Sequence, residues 1–211
     1  MSTEARLRER MAEHGKALFD RGLTFGSAGN ISVRLDDGWL LTPTNSCLGR
    51  LDPGRIAKLD DQGRLLSGEP PSKEAFMHRA VYEERAGAQA VVHLHSTHSV
   101  AVSCLAGIDP QNVLPPLTAY YVMKVGRLPL VPYFRPGDPA LGEAIRDHIA
   151  RTPAVLLANH GPVVAGKSLD DAIYATEELE ETAKLFLLLH NHRTRPLTPE
   201  QIEDLRAHFP S

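Results

Sequence analysis

Residues 88–95 read AQAVVHLH, an apolar run that ends in two histidines separated by a single leucine. Such a run is typical of a buried β-strand. Side chains two positions apart in a strand project from the same face, so we expect His93 and His95 to lie side by side. Two imidazoles at one strand end can bind a single metal ion. A lone His-x-His pattern is weakly specific, however, and ordinary strand-end histidines remain the alternative.

A third histidine follows a second apolar run, AVLLAN at residues 154–159. His160 comes directly after this run and precedes Gly161, which would place its imidazole at an edge of the sheet. Three histidines around an open coordination position are typical of a catalytic zinc site. Any divalent first-row metal can compete for such ligands, because geometry and supply decide which ion binds. His98 could supply a fourth ligand, but a supporting or helix-capping role is favoured.

Around these two runs the sequence alternates between helix-period and strand-period patterns. Helices are predicted over residues 4–21, 72–85, 99–105, 139–149 and 168–187, with a last helix that begins at Thr198. Further strands are predicted at ISVRL (31–35), WLLT (39–42), IAKLD (56–60), RLLS (64–67), LPLVPY (128–133) and PVVAG (162–166). We therefore expect a single α/β domain over residues 1–211, in which helices cover a largely antiparallel sheet.

Composition excludes several classes of protein. The chain has 211 residues and a formal net charge of -3, with no basic stripe, so we expect no nucleic-acid partner. The longest apolar runs, such as Ala154–Ala158, are too short to span a membrane. The first ten residues, MSTEARLRER, are charged, and we expect no signal peptide. The only cysteines, Cys47 and Cys104, make a disulfide framework improbable and favour a cytoplasmic protein.

An acidic residue and a loop of small residues complete the set of candidates. Glu74, within PPSKEAFMH at 70–78, would lie in the first turn of the second helix, where the helix dipole favours a carboxylate. The loop GSAGN at 26–30 could bind phosphate through its backbone N–H groups. A surface glutamate and a plain turn are the simpler interpretations. The acidic run at 177–181 is interpreted as a solvent-exposed helix face, or one at a subunit contact.

Together, these segments resemble the class II aldolase family of the L-fuculose-phosphate aldolase and L-ribulose-phosphate epimerase type. The matching segments are GSAGNISVR, LLTPTN, PSKEAFMH, VVHLHSTHSVAVS and LLANHGPVVAG, which occur in the family's order over most of residues 5–190. The resemblance implies an α/β/α sandwich around a central, mainly antiparallel sheet. It also implies a homotetramer whose active sites lie between subunits.

The resemblance assigns a role to each matching residue. It implies one Zn²⁺ per subunit, bound by His93, His95 and His160, and it implies that Glu74 is the catalytic acid/base and can also ligate the metal. The residues implied to bind the substrate phosphate are Gly29, Asn30, Thr44, Asn45, Ser72 and Lys73. A catalytic tyrosine contributed by a neighbouring subunit best matches Tyr120, with the adjacent Tyr121 as the alternative.

Within the family, the chain is most similar to the 3-oxo-tetronate 4-phosphate decarboxylases. The segments that carry this similarity are LTPTNSCLGRLDP, GEPPSKE, HLHSTHSVAVSCL, LPPLTAYYVMKVG, VPYFRPGDPA and ATEELEETAKL. Aldolases of the family usually carry a second serine before the glutamate, where this chain has Lys73. A phosphorylated four-carbon 3-oxo acid brings a carboxylate as well as a phosphate, and the added ammonium would suit that charge. The implied reaction releases CO₂ and dihydroxyacetone phosphate through an enediolate whose charge the metal stabilises.

Three alternatives remain open from the sequence. An aldolase or epimerase that acts on a ketose phosphate would use the same site, with Lys73 merely replacing one phosphate donor by another. A non-catalytic scaffold, like the head region of adducin, would be expected to lack the metal ligands, all of which are present. A structural zinc site usually has four Cys or His ligands, and neither Cys47 nor Cys104 has ligand-like spacing.

Overall fold

A computed structural model describes residues 2–209 and contains, over that range, one eight-stranded sheet and seven α-helices. The strands are β1 Asn30–Leu35, β2 Gly38–Leu41, β3 Ala57–Leu59, β4 Leu65–Ser67, β5 Ala90–His93, β6 Leu130–Val131, β7 Ala154–Leu157 and β8 Gly161–Gly166. The helices are α1 Thr3–Asp20, α2 Ala75–Glu84, α3 Thr97–Ser103, α4 Ala119–Lys124, α5 Ala140–Ile149, α6 Leu169–Leu189 and α7 Pro199–His208. Two 3₁₀ turns, Leu48–Arg50 and Pro53–Arg55, lie between β2 and β3.

The strand order across the sheet is β4-β3-β2-β1-β5-β8-β7-β6. Every neighbouring pair is antiparallel except β6 and β7, which are parallel. The short Asp36-Asp37 connection joins β1 to β2, and another short connection joins β7 to β8, as expected for antiparallel hairpins. These pairings confirm the predicted mixed α/β fold with a mainly antiparallel sheet.

Helices cover both faces of the sheet. On one face, α2 and α5 pack through Met77 and Ile145 against alternate strand residues that include Val91 and Val155. On the other face, α1 and α6 pack against the intervening residues, with Met11 and Ile173 in one buried cluster. A third cluster on that side joins α4 and α6 to β7 through Tyr121, Leu179 and Leu156. The period-2 alternation along the strands therefore produces the predicted α/β/α sandwich.

Most of the predicted elements form close to their expected bounds, with three differences. The second helix begins at Ala75 rather than near Ser72, and the Ser72 backbone N–H bonds to the Thr42 carbonyl of the neighbouring segment. A short helix at Ala119–Lys124, capped by Thr118, was not predicted. The strand predicted at 128–133 is reduced to Leu130–Val131. Among residues 2–209, no helix has the length and apolarity needed to cross a bilayer.

Register brings the candidate residues to one end of the sheet. Asn30 at the start of β1 is paired with His93 at the end of β5, and His93 is paired with Val163 near the start of β8. Ser32 is paired with Leu41, so the segment that follows β2 begins at this same end. Residues that are far apart in the sequence therefore converge where β5 ends.

Candidate active site

Three imidazoles form a compact cluster at this end of the sheet. The ring centroids of His93, His95 and His160 lie 4.6 to 4.9 Å apart, and one possible ligand atom from each lies within 4.8 Å of the others. The Nε2 atoms of His93 and His95 are 3.1 Å apart. Two nitrogens bound to one tetrahedral zinc ion are separated by about 3.3 Å, as Zn–N bonds of 2.0–2.1 Å require. The cluster therefore has the donor set and the spacing of a three-histidine metal site.

The backbone of the β7–β8 turn places His160 beside the other two histidines. Asn159 adopts a positive φ of 56°, and Gly161 has a φ of 154°. A Cβ atom at Gly161 would lie only 2.2 Å from the Leu94 carbonyl oxygen. Only glycine permits this approach, which brings the turn against the residue between His93 and His95.

A hydrogen bond fixes which nitrogen of His93 faces the cluster. Its Nδ1 lies 2.8 Å from the Pro162 carbonyl oxygen, which can only accept, so Nδ1 carries the proton in the neutral ring. The lone pair of Nε2 then points toward His95. A carbonyl bonded to the distal nitrogen is a common support for metal-binding histidines.

The surroundings of the three histidines favour neutral rings. Burial lowers the pKa of His93 to about 4, an effect that neighbouring histidines reinforce and that Glu74 opposes. Burial also lowers the pKa values of His95 and His160. Metal ions bind the neutral imidazole, so these shifts keep the ligands available at neutral pH.

Glu74 lies against the cluster. Its carboxylate oxygens are 3.6 Å from His93 Nε2 and 3.4 Å from His160 Nε2. Glu74 immediately precedes α2, so it is not in the first turn as expected, and its side chain makes no capping bond. Burial opposes ionisation of its carboxyl, but attraction to the charged form of the His93 ring and a hydrogen bond from Asn30 together lower its pKa. An ionised carboxylate is therefore available either to ligate a metal or to exchange a proton.

Asn30 connects Glu74 to a buried polar chain that sequence analysis did not identify. Its Nδ2 donates to Glu74 Oε2 at 2.7 Å, and its Oδ1 accepts from His78 Nε2. His78 Nδ1 lies 2.7 Å from the Ser32 hydroxyl, which in turn lies 2.7 Å from the Tyr82 hydroxyl. The available signal was the spacing of four residues between Glu74 and His78, which is typical of neighbours on one helix face.

The residues predicted to bind phosphate lie on three adjacent segments. Gly29 has a φ of 81°, and a Cβ atom there would lie 2.9 Å from the His93 carbonyl oxygen. The Thr44 N–H bonds to the Pro70 carbonyl, and an isolated bridge joins Pro43 to Pro71. The segments that contain Thr44–Asn45 and Ser72–Lys73 are therefore held side by side.

These segments differ in what their side chains contact. Lys73 is exposed, and its ammonium takes part in no ion pair among residues 2–209. Thr44 and Asn45 line a cavity of about 180 Å³, together with Arg50 and Arg55. A cavity of about 910 Å³ between α4, α6 and α7 is lined by none of the predicted site residues.

The two candidate tyrosines have opposite environments. Tyr120 is 67% exposed, whereas Tyr121 is completely buried in the cluster between α4 and α6. Burial raises the pKa of Tyr121, and its hydroxyl has no hydrogen-bond partner among residues 2–209. No hydrogen bond connects Tyr120 with the histidine cluster within that range.

His98 and Glu180 form a separate contact, in which the Glu180 carboxylate is buried. Glu180 accepts hydrogen bonds from the backbone N–H groups of His98 and Ser99 and from the Ser99 hydroxyl, and it contacts His98 Nδ1 at 2.8 Å. His98 therefore supports the start of α3, in agreement with the favoured prediction. The interpretation of residues 177–181 as an exposed face is wrong for Glu180, which is only 6% exposed. Its partners lie more than 80 residues away, and local patterning could not identify them.

Comparison with known proteins identifies the family. Residues 9–187 match the family described as Class II Aldolase and Adducin N-terminal domain. The protein belongs to this family.

Individual members of the family differ in how similar they are to this chain. The chain is 55% identical over 190 residues to the 3-oxo-tetronate 4-phosphate decarboxylase of Cupriavidus necator, which covers 90% of this chain and 87% of the relative. The crystal structure of YgbL from Escherichia coli is similar with a TM-score of 0.95 and 50% identity, and the match covers 97% of this chain and 100% of that one. The L-fuculose phosphate aldolase of Escherichia coli strain K12 is 36% identical over 168 residues, which are 79% of this chain and 75% of the aldolase.

Proposed function

We propose that this protein is a metal-dependent 3-oxo-tetronate 4-phosphate decarboxylase, a carboxy-lyase that produces dihydroxyacetone phosphate and CO₂. The observation that carries the proposal is the identity of 49–55% to five relatives of that name. The convergence of His93, His95, His160 and Glu74 at one end of the sheet supplies a site that suits the chemistry.

His93, His95 and His160 would hold one Zn²⁺ per subunit, with Glu74 able to complete the ligand set. When bound, a divalent ion acts as a Lewis acid toward the oxygen atoms of the substrate at C2 and C3. The hydrogen bond from His93 Nδ1 to the Pro162 carbonyl supports this assignment, because it directs the Nε2 lone pair into the cluster.

Glu74 would transfer the proton that the reaction requires. The bond between C1 and C2 of the substrate breaks, CO₂ departs, and the electron pair of that bond remains at C2. The ionised Glu74 carboxylate would take up a proton from water and pass it to C2, which gives dihydroxyacetone phosphate. Glu74 lies within 3.6 Å of two of the three histidines, so its carboxyl is close enough to exchange this proton with bound substrate.

The substrate phosphate would be bound by the three segments beside the histidine cluster. Backbone and side-chain groups of the following residues would supply the donors: Gly29, Asn30, Thr44, Asn45, Ser72 and Lys73. Binding energy at the phosphate is remote from the bond that breaks, and it orients the acid for reaction. Within residues 2–209, the exposed ammonium of Lys73 has no ion-pair partner to compete with the substrate, which suits a ligand that carries both a phosphate and a carboxylate.

We also propose that the active form is a homotetramer in which Tyr120 enters the site of a neighbouring subunit. The high exposure of Tyr120 supports this role, since a buried hydroxyl could not leave its own subunit. Tyr121, which is fully buried, is unsuited to it.

The test is to follow CO₂ and dihydroxyacetone phosphate together from 3-oxo-tetronate 4-phosphate, using purified protein loaded with zinc. Equal amounts of both products, abolished by a chelator and restored by the metal, are expected. The His93→Ala variant serves as the matched control and should form neither product. Cleavage of L-fuculose 1-phosphate without CO₂ release would instead support a sugar-phosphate aldolase.

A further inference from the structure

We propose that His78 is a positioning residue that keeps the Asn30 amide oriented with its N–H groups toward the Glu74 carboxylate. The inference rests on the proposed function for its catalytic consequence, but its geometric basis is independent of the substrate.

The basis is a continuous chain of buried hydrogen bonds. It runs from the Tyr82 hydroxyl to the Ser32 hydroxyl, then through both nitrogens of His78 to the Asn30 amide and finally to Glu74 Oε2. His78 and Ser32 are completely buried, and Asn30 is nearly so. The chain links β1 to α2 directly behind the carboxylate.

The groups at the Glu74 end of this chain determine which partner donates and which accepts in each of its hydrogen bonds. Asn30 Nδ2 lies 2.7 Å from Glu74 Oε2 and Asn30 Oδ1 faces His78 Nε2, so the amide presents its N–H group to Glu74 and its oxygen to His78. That oxygen requires a proton on His78 Nε2. The neutral ring then has a lone pair on Nδ1, which accepts from the Ser32 hydroxyl. The Tyr82 hydroxyl can in turn donate to Ser32 Oγ, so every group in the chain is satisfied.

The ring of His78 has the protonation state that these hydrogen bonds need. Burial lowers its pKa to about 3, so the imidazole is neutral at the pH of ordinary assays. No carboxylate contacts either of its ring nitrogens, since these face Ser32 and Asn30. His78 therefore acts through Asn30 and does not itself exchange a proton with substrate.

Loss of the Nε2–H donor would remove the constraint on Asn30. The buried amide oxygen would then have no donor, and the amide would shift from the position in which its N–H group bonds to Glu74 Oε2, so the carboxylate would lose its fixed orientation. Misplacement of a catalytic group lowers the rate of the chemical step more than it weakens substrate binding.

Two amide substitutions at His78 distinguish the roles of its two ring nitrogens. In His78→Gln, the longer side chain can place an N–H donor near the position of Nε2 and keep the bond to Asn30. In His78→Asn, the shorter side chain can place its amide near Nδ1 and keep the bond to Ser32, but the donor to Asn30 is lost. Both variants carry the same neutral functional group in the same buried position.

We expect His78→Asn to lower kcat by about tenfold with KM within about twofold, the effect of losing one hydrogen bond in a charged network. His78→Gln should retain most of kcat. Zinc content, measured by elemental analysis, should be unchanged in both variants. Tyr82→Phe is the control for loss of a buried hydrogen bond elsewhere in the chain, and it should leave kcat within about twofold of the wild type. If His78→Gln and His78→Asn lose the same fraction of kcat, and that fraction matches the loss of folded protein, the proposal is overturned.

A second measurement needs no activity. Nitrogen-15 spectra of histidine-labelled protein, with the His78 signals assigned by their absence from His78→Gln, report which ring nitrogen carries the proton. We expect protonated Nε2 and unprotonated Nδ1, and the opposite tautomer would overturn the inference even if His78→Asn fails to fold. If wild-type protein releases no CO₂ while this tautomer is observed, the proposed function fails and the arrangement around Asn30 stands.

Discussion

Tyr120 and Tyr121 are neighbours in the sequence but differ in what removal of a hydroxyl should do. We expect Tyr121→Phe to leave stability unchanged or slightly higher, because the buried hydroxyl has no partner among residues 2–209. Tyr120→Phe should leave stability unchanged but lower kcat by about 100-fold, if Tyr120 supplies an acid or base to the neighbouring site. Thermal unfolding and steady-state kinetics on both variants check the pair. Full activity of Tyr120→Phe would remove this residue from the mechanism.

Replacement of Glu74 tests proton transfer separately from metal binding. Glu74→Gln should retain most of the zinc, since His93, His95 and His160 remain, but it should lose at least about 100-fold in kcat. The Gln amide also accepts from Asn30 less well than a carboxylate does. Parallel measurement of zinc content and turnover distinguishes the two effects. Turnover close to that of the wild type would contradict the role of Glu74.

The candidate site could be predicted only as far as individual residues carry a local signal. His93, His95 and His160 end apolar runs, and that placement predicted their convergence. Their separation, and the contact of Glu74 with two of them, depends on pairing between distant strands. The bond from His78 to Asn30 joins residues 48 positions apart, and no periodicity in either segment indicates it.

A buried carboxylate, Glu180, lies at the contact between α3 and α6. Glu180 accepts bonds from two backbone N–H groups and one hydroxyl at the start of α3. We expect Glu180→Gln to lower the free energy of unfolding by about 2 kcal/mol at pH 7, because an amide replaces one acceptor by a donor. Glu181→Gln on the same helix is the control, since Glu181 is largely exposed, and its effect should be within about 0.5 kcal/mol.

The effect of Glu180→Gln on the free energy of unfolding should depend on pH. Burial opposes ionisation of Glu180, but the hydrogen bonds from Ser99 and His98 outweigh it, and folding lowers its pKa below the usual 4.5. A carboxyl whose pKa is lower in the folded state stabilises the fold above its unfolded pKa, and this contribution is lost as the pH falls through the folded pKa. Urea unfolding should therefore show a smaller difference between wild type and Glu180→Gln at pH 4 than at pH 7. An equal difference at both pH values would contradict this account.

Helices and strands were predicted best where capping or turn residues mark their ends in the sequence. Ser168 caps α6 through the Asp171 N–H, and Thr198 with Gln201 forms the expected capping box of α7. The helix Ala119–Lys124 was missed, since it has only six residues and contains two tyrosines and a valine, which have modest helix propensity. Thr118 caps it, and burial of Tyr121 and Val122 stabilises it. Tertiary packing therefore determines this element.

The metal should couple the two halves of the sheet. His93 and His95 lie at the end of β5, whereas His160 lies in the turn between β7 and β8. A ligand set formed only in the folded state stabilises that state, by about 2.7 kcal/mol when free metal exceeds its dissociation constant 100-fold. Addition of a chelator should therefore lower the Tm of the wild type. The His93→Ala variant should contain less zinc and show a smaller shift, and an equal shift in both proteins would contradict the assignment of the ligands.

For the whole molecule, the sequence predicted the fold class but not the strand order. Short connections such as Asp36-Asp37 predict which neighbours pair. Nothing local predicts that β5 lies between β1 and β8, because both pairings join strands separated by long segments. The family resemblance implied an α/β/α sandwich, and the structure confirms that architecture.

The central position of β5 has a consequence for synthesis on the ribosome. β1 emerges before β5, but β8 does not begin until Gly161, so one edge of β5 stays open in the nascent chain. At about 5–20 residues per second, this interval lasts on the order of ten seconds. During that time the apolar residues Val91 and Val92 are available to other unpaired strands, and chaperones would be expected to engage the chain there. His160 completes the histidine cluster only at the end of this interval, so a metal ion held by all three histidines could be acquired only after most of the protein has been made.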